Sequence, residues 1–310
     1  MPKKRIPNSI KFIFLVVLAA IISFLIFQPS EKQPEEVNIE DVTEASLMKD
    51  AKPTGNIFKY NNIVFSLPSP YQISLLIEKS GISYNRDLLN KTSKASDYVD
   101  NFSRAINFGV YGSDLGYINI YGQTQDAASY FAVLKIISQD IGLYDAMNKP
   151  TIKRIENNIE NRDSLLVIVS NTYRNIDNYL KKNNRENTGA LILAGGWIES
   201  IYLLTQQIKD HPQQKLMTRI SEQKRPLENL IKLLVPYSNE SKNYYFIVDR
   251  LIDLAYTFDE IEEQYTYVAP ITDSHKKLTI VKSKSQLVMN KKQLTKITEK
   301  INIIREHIIK

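Results

Sequence analysis

Residues 190–208, ALILAGGWIESIYLLTQQI, constrain this chain more than any other stretch. Two adjacent glycines, the only tryptophan and a single carboxylate sit in an otherwise apolar run. Such a run must pack on nearly every side. Gly195 and Gly196 then act chiefly as packing residues that let another backbone come close. Glu199 is a buried acid that needs a donor.

Other segments extend this helical reading. Residues 96–122, SDYVDNFSRAINFGVYGSDLGYINIYG, are predicted as one long helix. Ala105, Gly109, Gly112 and Gly116 recur at spacings of four, three and four, so they line one face and predict a close helix crossing. Each helical glycine costs about 1 kcal/mol of propensity, which packing has to offset. Ser69-Pro70 opens a helix that stops at Gly81, and 124–140 form another that stops at Gly142. Further helices cover 150–160 and the segment from Asp163 to Lys182. Beyond 208 a helical stretch breaks near Pro226, and another runs on to FDEIEEQY, whose acids read as a solvated helix face. NIFKY-NN-IVFSL, from 56 to 67, suits a small hairpin. The expectation is an all-α, irregular bundle of seven to nine helices, with a small β-hairpin or extended arm near the ends.

The ends differ from the body. Residues 1–11 carry four bases and 28–52 carry seven acids against three lysines; 276–310 carry ten bases against two acids. The net +6 therefore belongs to the ends, and nucleic acid is not an expected partner. After the basic 1–11, residues 12–27 are apolar, with Ser23 alone polar. This segment reads as a membrane anchor or uncleaved signal, with 1–11 cytoplasmic and the bulk of the chain translocated. Its end, Phe24-Leu25-Ile26-Phe27, lacks the small residues of a cleavage site, although sixteen residues is short for a span. Cleavage would instead place the protein free in the periplasm. Residues 28–56 read as a disordered acidic tether and 57–265 as the helical domain, followed by an extended arm over 266–289. A basic amphipathic helix closes the chain at 290–310, with Leu294, Ile297, Ile301, Ile304 and Ile308 on one face. Docking of that face on the body, or its pairing in a coiled coil, is the simpler reading, and contact with anionic lipid the alternative.

No Cys is present, which excludes disulfides and thiolate chemistry. His211, His275 and His307 have no metal-ligand spacing, and no phosphate-loop, dinucleotide or nucleophile-elbow motif occurs. No catalytic residue, metal or cofactor is expected. The candidates left are polar and aromatic residues within apolar helices: Arg104, Asn107, Asp114, Tyr117, Tyr121, Trp197, Glu199 and Tyr202. They compose either a register-fixing network, with Arg104 or tyrosine hydroxyls serving the acids, or a pocket for a small polar ligand.

The segments NFGVYGSDLGY, NRDSL, ALILAGGWIESIY, RISEQKRPLENLI and LTKITEKINIIREHI resemble a family of helical envelope proteins of gram-negative bacteria. The resemblance covers about 57–310 and is most specific in the glycine-tryptophan-glutamate segment. It implies an envelope location and one helical domain, and it carries over no catalytic residues. Members usually begin with an export or lipoprotein signal; this chain departs by having no lipobox Cys, which favours a membrane anchor or simple export. Three functions compete. The first is a non-enzymatic, membrane-tethered scaffold with a protein partner or self-association. The second is a periplasmic small-ligand sensor, and the third, weakest, a hydrolase built on a carboxylate pair.

Overall fold

The structure is a computed structural model describing residues 56–60, 63–67, 70–147, 149–159, 161–273, 278–280 and 283–310. The segments expected to be an anchor, 12–27, and a tether, 28–56, fall outside the described residues except for Asn56.

The all-α expectation holds, with eleven α-helices among the described residues where seven to nine were expected. A hairpin of β1 (Asn56–Tyr60) and β2 (Ile63–Leu67), antiparallel with Phe58 opposite Phe65, precedes α1 (Pro70–Lys79). Gly81, at φ +76°, lets the chain leave α1. Two short 3-10 turns, Arg86–Leu88 and Thr92–Asp97, lead to α2 (Asn101–Ile120). Helix α2 starts later than the predicted 96. Asp100 is its N-cap, accepting from the Ser103 N–H at 2.9 Å, and Tyr98 just before it is buried.

There follow α3 (Thr124–Asp140), α4 (Tyr144–Met147), α5 (Lys149–Asn157), α6 (Arg162–Lys182), α7 (Glu186–Ile208), α8 (Gln214–Ser221), α9 (Lys224–Leu234) and α10 (Lys242–Asp259). The break near Pro226 lies between α8 and α9, with Pro226 in the first turn of α9, where its missing N–H costs no helical bond.

The arm is more ordered and begins earlier than predicted. β3 (Glu262–Thr266) pairs with β6 (Lys284–Val288), and β4 (Ile271–Asp273) with β5 (Leu278–Ile280), both antiparallel. Glu262 and Glu263 therefore stand on a strand, not on a helix face, and the helical segment ends at Asp259 rather than 265. The β-prone Tyr265-Thr266 pair, in a strand whose residues 262–266 pair with 284–288, overrides the helical pattern.

Helix α11 (Lys291–Ile308) begins with a capping box of Asn290 and Gln293. Its five predicted aliphatics are buried, so this basic amphipathic helix docks on the body. Helix α7 runs through the centre. By length and composition it is apolar enough to cross a membrane, yet 83% of its most apolar window is buried inside the bundle. It is the core helix around which α2, α11, α1 and α9 are arranged.

Candidate functional site

The site starts at the α2–α7 crossing. A Cβ on Gly109 would stand 2.0 Å from the Ile192 carbonyl oxygen, and one on Gly195 1.9 Å from that of Ile106. The two backbones touch, as the glycine spacing predicted. The small-residue stripe of α2 serves two neighbours, because Gly116 lies beside Tyr71 of α1 instead, with 3.8 Å of room. Ala105 is buried in the core and Gly112 is half-buried on the same helix.

One turn beyond the glycines the pairings continue in the same direction along both helices. The Ser113 and Ser200 hydroxyls meet at 2.9 Å, and the carboxyls of Asp114 and Glu199 are neighbours in the same layer. The absence of side chains at the crossing thus brings two acids together in the core, each 0% exposed.

Their counter-charge is Arg305 of α11. Its Nε donates to Glu199 Oε2 at 2.8 Å and its Nη2 to Oε1 at 2.8 Å, a bidentate pair. Nη2 also donates to the Leu88 carbonyl at 2.9 Å, and the guanidinium lies 4.0 Å from the Tyr202 ring centroid. Burial works against the charge on Arg305. The Glu199 carboxylate and its hydrogen bonds outweigh that, so the Arg305 pKa lies above its ordinary value.

Asp114 sits on the other side of Glu199. Its Oδ2 accepts from the Asn90 N–H at 3.1 Å, while Oδ1 meets no donor among the described residues. Two carboxylates beside one guanidinium would leave a net negative charge in the core. Like charges about 4 Å apart repel by about 4 kcal/mol even at an effective dielectric constant of about 20. Burial first, and Glu199 second, push Asp114 well above the usual carboxylate range.

A shell of neutral donors surrounds the acids. Asn90 Nδ2 donates to the Tyr98 hydroxyl at 3.0 Å and, at 3.4 Å, to Asn107 Oδ1. The Tyr130 hydroxyl donates to the Asn90 carbonyl and that of Tyr111 to the Lys91 carbonyl, each at 2.8 Å. Burial raises the pKa of Tyr98, Tyr111 and Tyr130, which keeps them protonated. The shell also closes the end of α11. Asn107 Nδ2 donates to the Ile308 carbonyl at 2.6 Å, and Lys94 Nζ to that of Ile309 at 2.9 Å. These are carbonyls a helix leaves without an internal partner.

The eight candidate residues therefore separate. Asn107, Asp114, Glu199 and Tyr202 belong to the Arg305 cluster. Arg104 does not reach the acids: its Nε donates to the Tyr98 carbonyl at 2.9 Å and faces Asp140 at 3.6 Å. Tyr117 and Tyr121 lie farther along α2 in an aromatic cluster with Tyr84. The Tyr117 hydroxyl accepts from the Asn85 N–H at 2.9 Å and from Gln207 Nε2 at 2.7 Å, and that of Tyr121 donates to the Ile82 carbonyl at 2.6 Å. Trp197 Nε1 donates to Gln223 Oε1 at 3.3 Å, toward the α8–α9 turn. A surface recess at the end of α2 is bordered by Tyr121 alone among the candidates.

Sequence reasoning missed Arg305 and Asn90. Arg305 left a signal, since it follows Ile301 by four residues and so lies on the apolar face, unlike Lys292. Asn90, between two short turns, left none. Comparisons of the chain with protein-family models, with curated proteins and with solved structures each return no match.

Proposed function

We propose that this chain is a non-enzymatic, membrane-tethered helical scaffold or interaction domain of the bacterial cell envelope, held through residues 12–27 with its folded part on the periplasmic side. One observation carries the non-enzymatic part. Glu199, the acid best placed to be functional, spends both carboxylate oxygens on Arg305, and that arginine fastens the last helix to the core. A reacting carboxylate needs an oxygen that faces a substrate. Here the shell of hydrogen bonds is directed at backbone carbonyls of the protein itself, which is the pattern of a register-fixing network. The apolar run after a basic start, the acidic tether and the resemblance to envelope proteins support the location.

Two measurements test the reading. In fractionation of the native host, the full chain should pellet with membranes through a high-salt wash, and a version lacking residues 12–27 should not. A full chain found in the cytosol would refute the location. Native mass spectrometry of the protein purified from the envelope should show the bare chain or a complex with protein. A reproducible adduct of small mass that disappears in Asp114→Asn would refute the scaffold reading in favour of a ligand site.

A further inference from the structure

Helix α11 is held by two different devices. Along most of its length Leu294, Ile297, Ile301 and Ile304 bury an apolar stripe. Its last turn buries Ile308 as well and is fastened in addition by polar contacts: Arg305 to Glu199 and to the Leu88 carbonyl, Asn107 to the Ile308 carbonyl, and Lys94 to the Ile309 carbonyl. Every one of these contacts converges on the 88–98 segment, α2 or α7, and Asp114 stands among them. Its Oδ2 holds the Asn90 N–H, and its Oδ1, without a donor, is the oxygen left over in a pair that touches Glu199.

We propose that Asp114 and Glu199 share one proton, and that its loss as pH rises loosens the clamp between the last turn of α11 and the 88–98 segment. The proton would sit on Asp114 Oδ1 and be donated to Glu199, which satisfies the orphaned oxygen. When it leaves, Asp114 repels Glu199 and competes with it for Arg305. The titratable and charged groups facing Asp114 from the packed elements are Glu199 and Tyr202 on α7, Arg305 on α11, Tyr111 on its own helix and Tyr130 on α3. The tyrosines are all raised by burial and stay neutral, so Arg305 is the sole cation and Glu199 the sole competing anion in that set.

The sign follows from linkage. The opened clamp exposes Asp114 to water, where it ionises in the ordinary carboxylate range, while the closed clamp keeps it protonated to higher pH. Between those limits the open form binds fewer protons, so the opening equilibrium rises by about tenfold per pH unit. The device is independent of what the domain binds.

The test is hydrogen exchange by mass spectrometry on the full chain, with rates normalised to the intrinsic rate at each pH. Wild type should lose protection over 302–309 and 88–98 as pH rises from 5 to 9, and much less over 293–298. Asp114→Asn should keep the closed clamp, because Asn presents N–H₂ to Glu199 and its carbonyl to the Asn90 N–H. Its protection should be independent of pH. Equal slopes in both proteins, or no slope in wild type, would overturn the proposal. A second measurement does not depend on the variant folding. Wild type carrying ¹³C-labelled aspartate should show one carboxyl that stays protonated at neutral pH, and all aspartates ionised there would equally overturn the proposal.

Discussion

Two successive turns of the α2–α7 interface achieve close approach by opposite means. At the glycine turn, Gly109 and Gly195 let backbone meet backbone, and no side chain is present to adjust. At the carboxyl turn, Asp114 and Glu199 meet only because the glycines have fixed the separation, and a guanidinium from α11 settles their charge. The first turn depends on volume alone. The second depends on charge and donors, so it should tolerate a change of shape but not a loss of partner.

The largest break should come at the first turn. In Gly195→Ala the new Cβ would stand 1.9 Å from the Ile106 oxygen and 2.8 Å from its carbon, both backbone atoms. Neither can move without shifting a helix. We expect a loss of about 4 kcal/mol or more in urea denaturation, or no folded protein. A well-folded alanine variant would show that the crossing is looser than described.

At the second turn, Glu199→Gln leaves Arg305 buried with a neutral partner. A loss of about 3 kcal/mol is expected, read from the denaturation midpoint at unchanged slope. A variant as stable as wild type would mean that the ion pair does not hold α11.

Gly116→Ala sharpens the contrast from the other side. The same helix has room here, with Tyr71 at 3.8 Å, so the alanine should gain helix propensity without a clash. A stabilisation of about 1 kcal/mol is expected, visible as a higher melting temperature. Destabilisation would show that the whole stripe is packed, not the crossing alone.

The smallest effect concerns His307, which stacks on Phe246 with ring centroids 3.8 Å apart. Burial, then the nearby Lys310, lower its pKa. The unfolded chain therefore takes up the proton first. Stability should fall as pH drops below about 6.5, by less than about 1 kcal/mol because the ring is partly exposed. His307→Phe should keep the stack and lose this dependence; an unchanged slope in the variant would assign it elsewhere.

The glycine turn was legible in the sequence, and the carboxyl turn only in part. Spacings of four and three placed Gly109 on a packing face, and the apolar surroundings of Gly195 pointed the same way, because helical period alone fixes which residues share a face. Burial of Glu199 and Asp114 followed from their apolar neighbours. Their partner did not, since Arg305 is 106 residues from Glu199 and no local period links α7 to α11. The nearer basic residue, Arg104, was the wrong donor for the same reason: it lies on α2 itself and turns toward Tyr98 and Asp140. Tyr117 and Tyr121 share the face of Asp114 at spacings of three and seven, yet one and two further turns of helix carry them to a different cluster. The strand pairing of 262–266 with 284–288 was likewise hidden, because the acidic run before it continues a helical pattern that only the distant partner strand interrupts.

The most direct test of the account is a double-mutant cycle on Glu199 and Arg305, using Glu199→Gln, Arg305→Met and the pair, with stability read by urea denaturation. If Glu199 is an internal fastener for α11, the double variant should lose less than the two single losses added together, with a coupling of about 1–3 kcal/mol. Additive losses with no coupling would contradict the claim that this acid exists to hold the last helix in place.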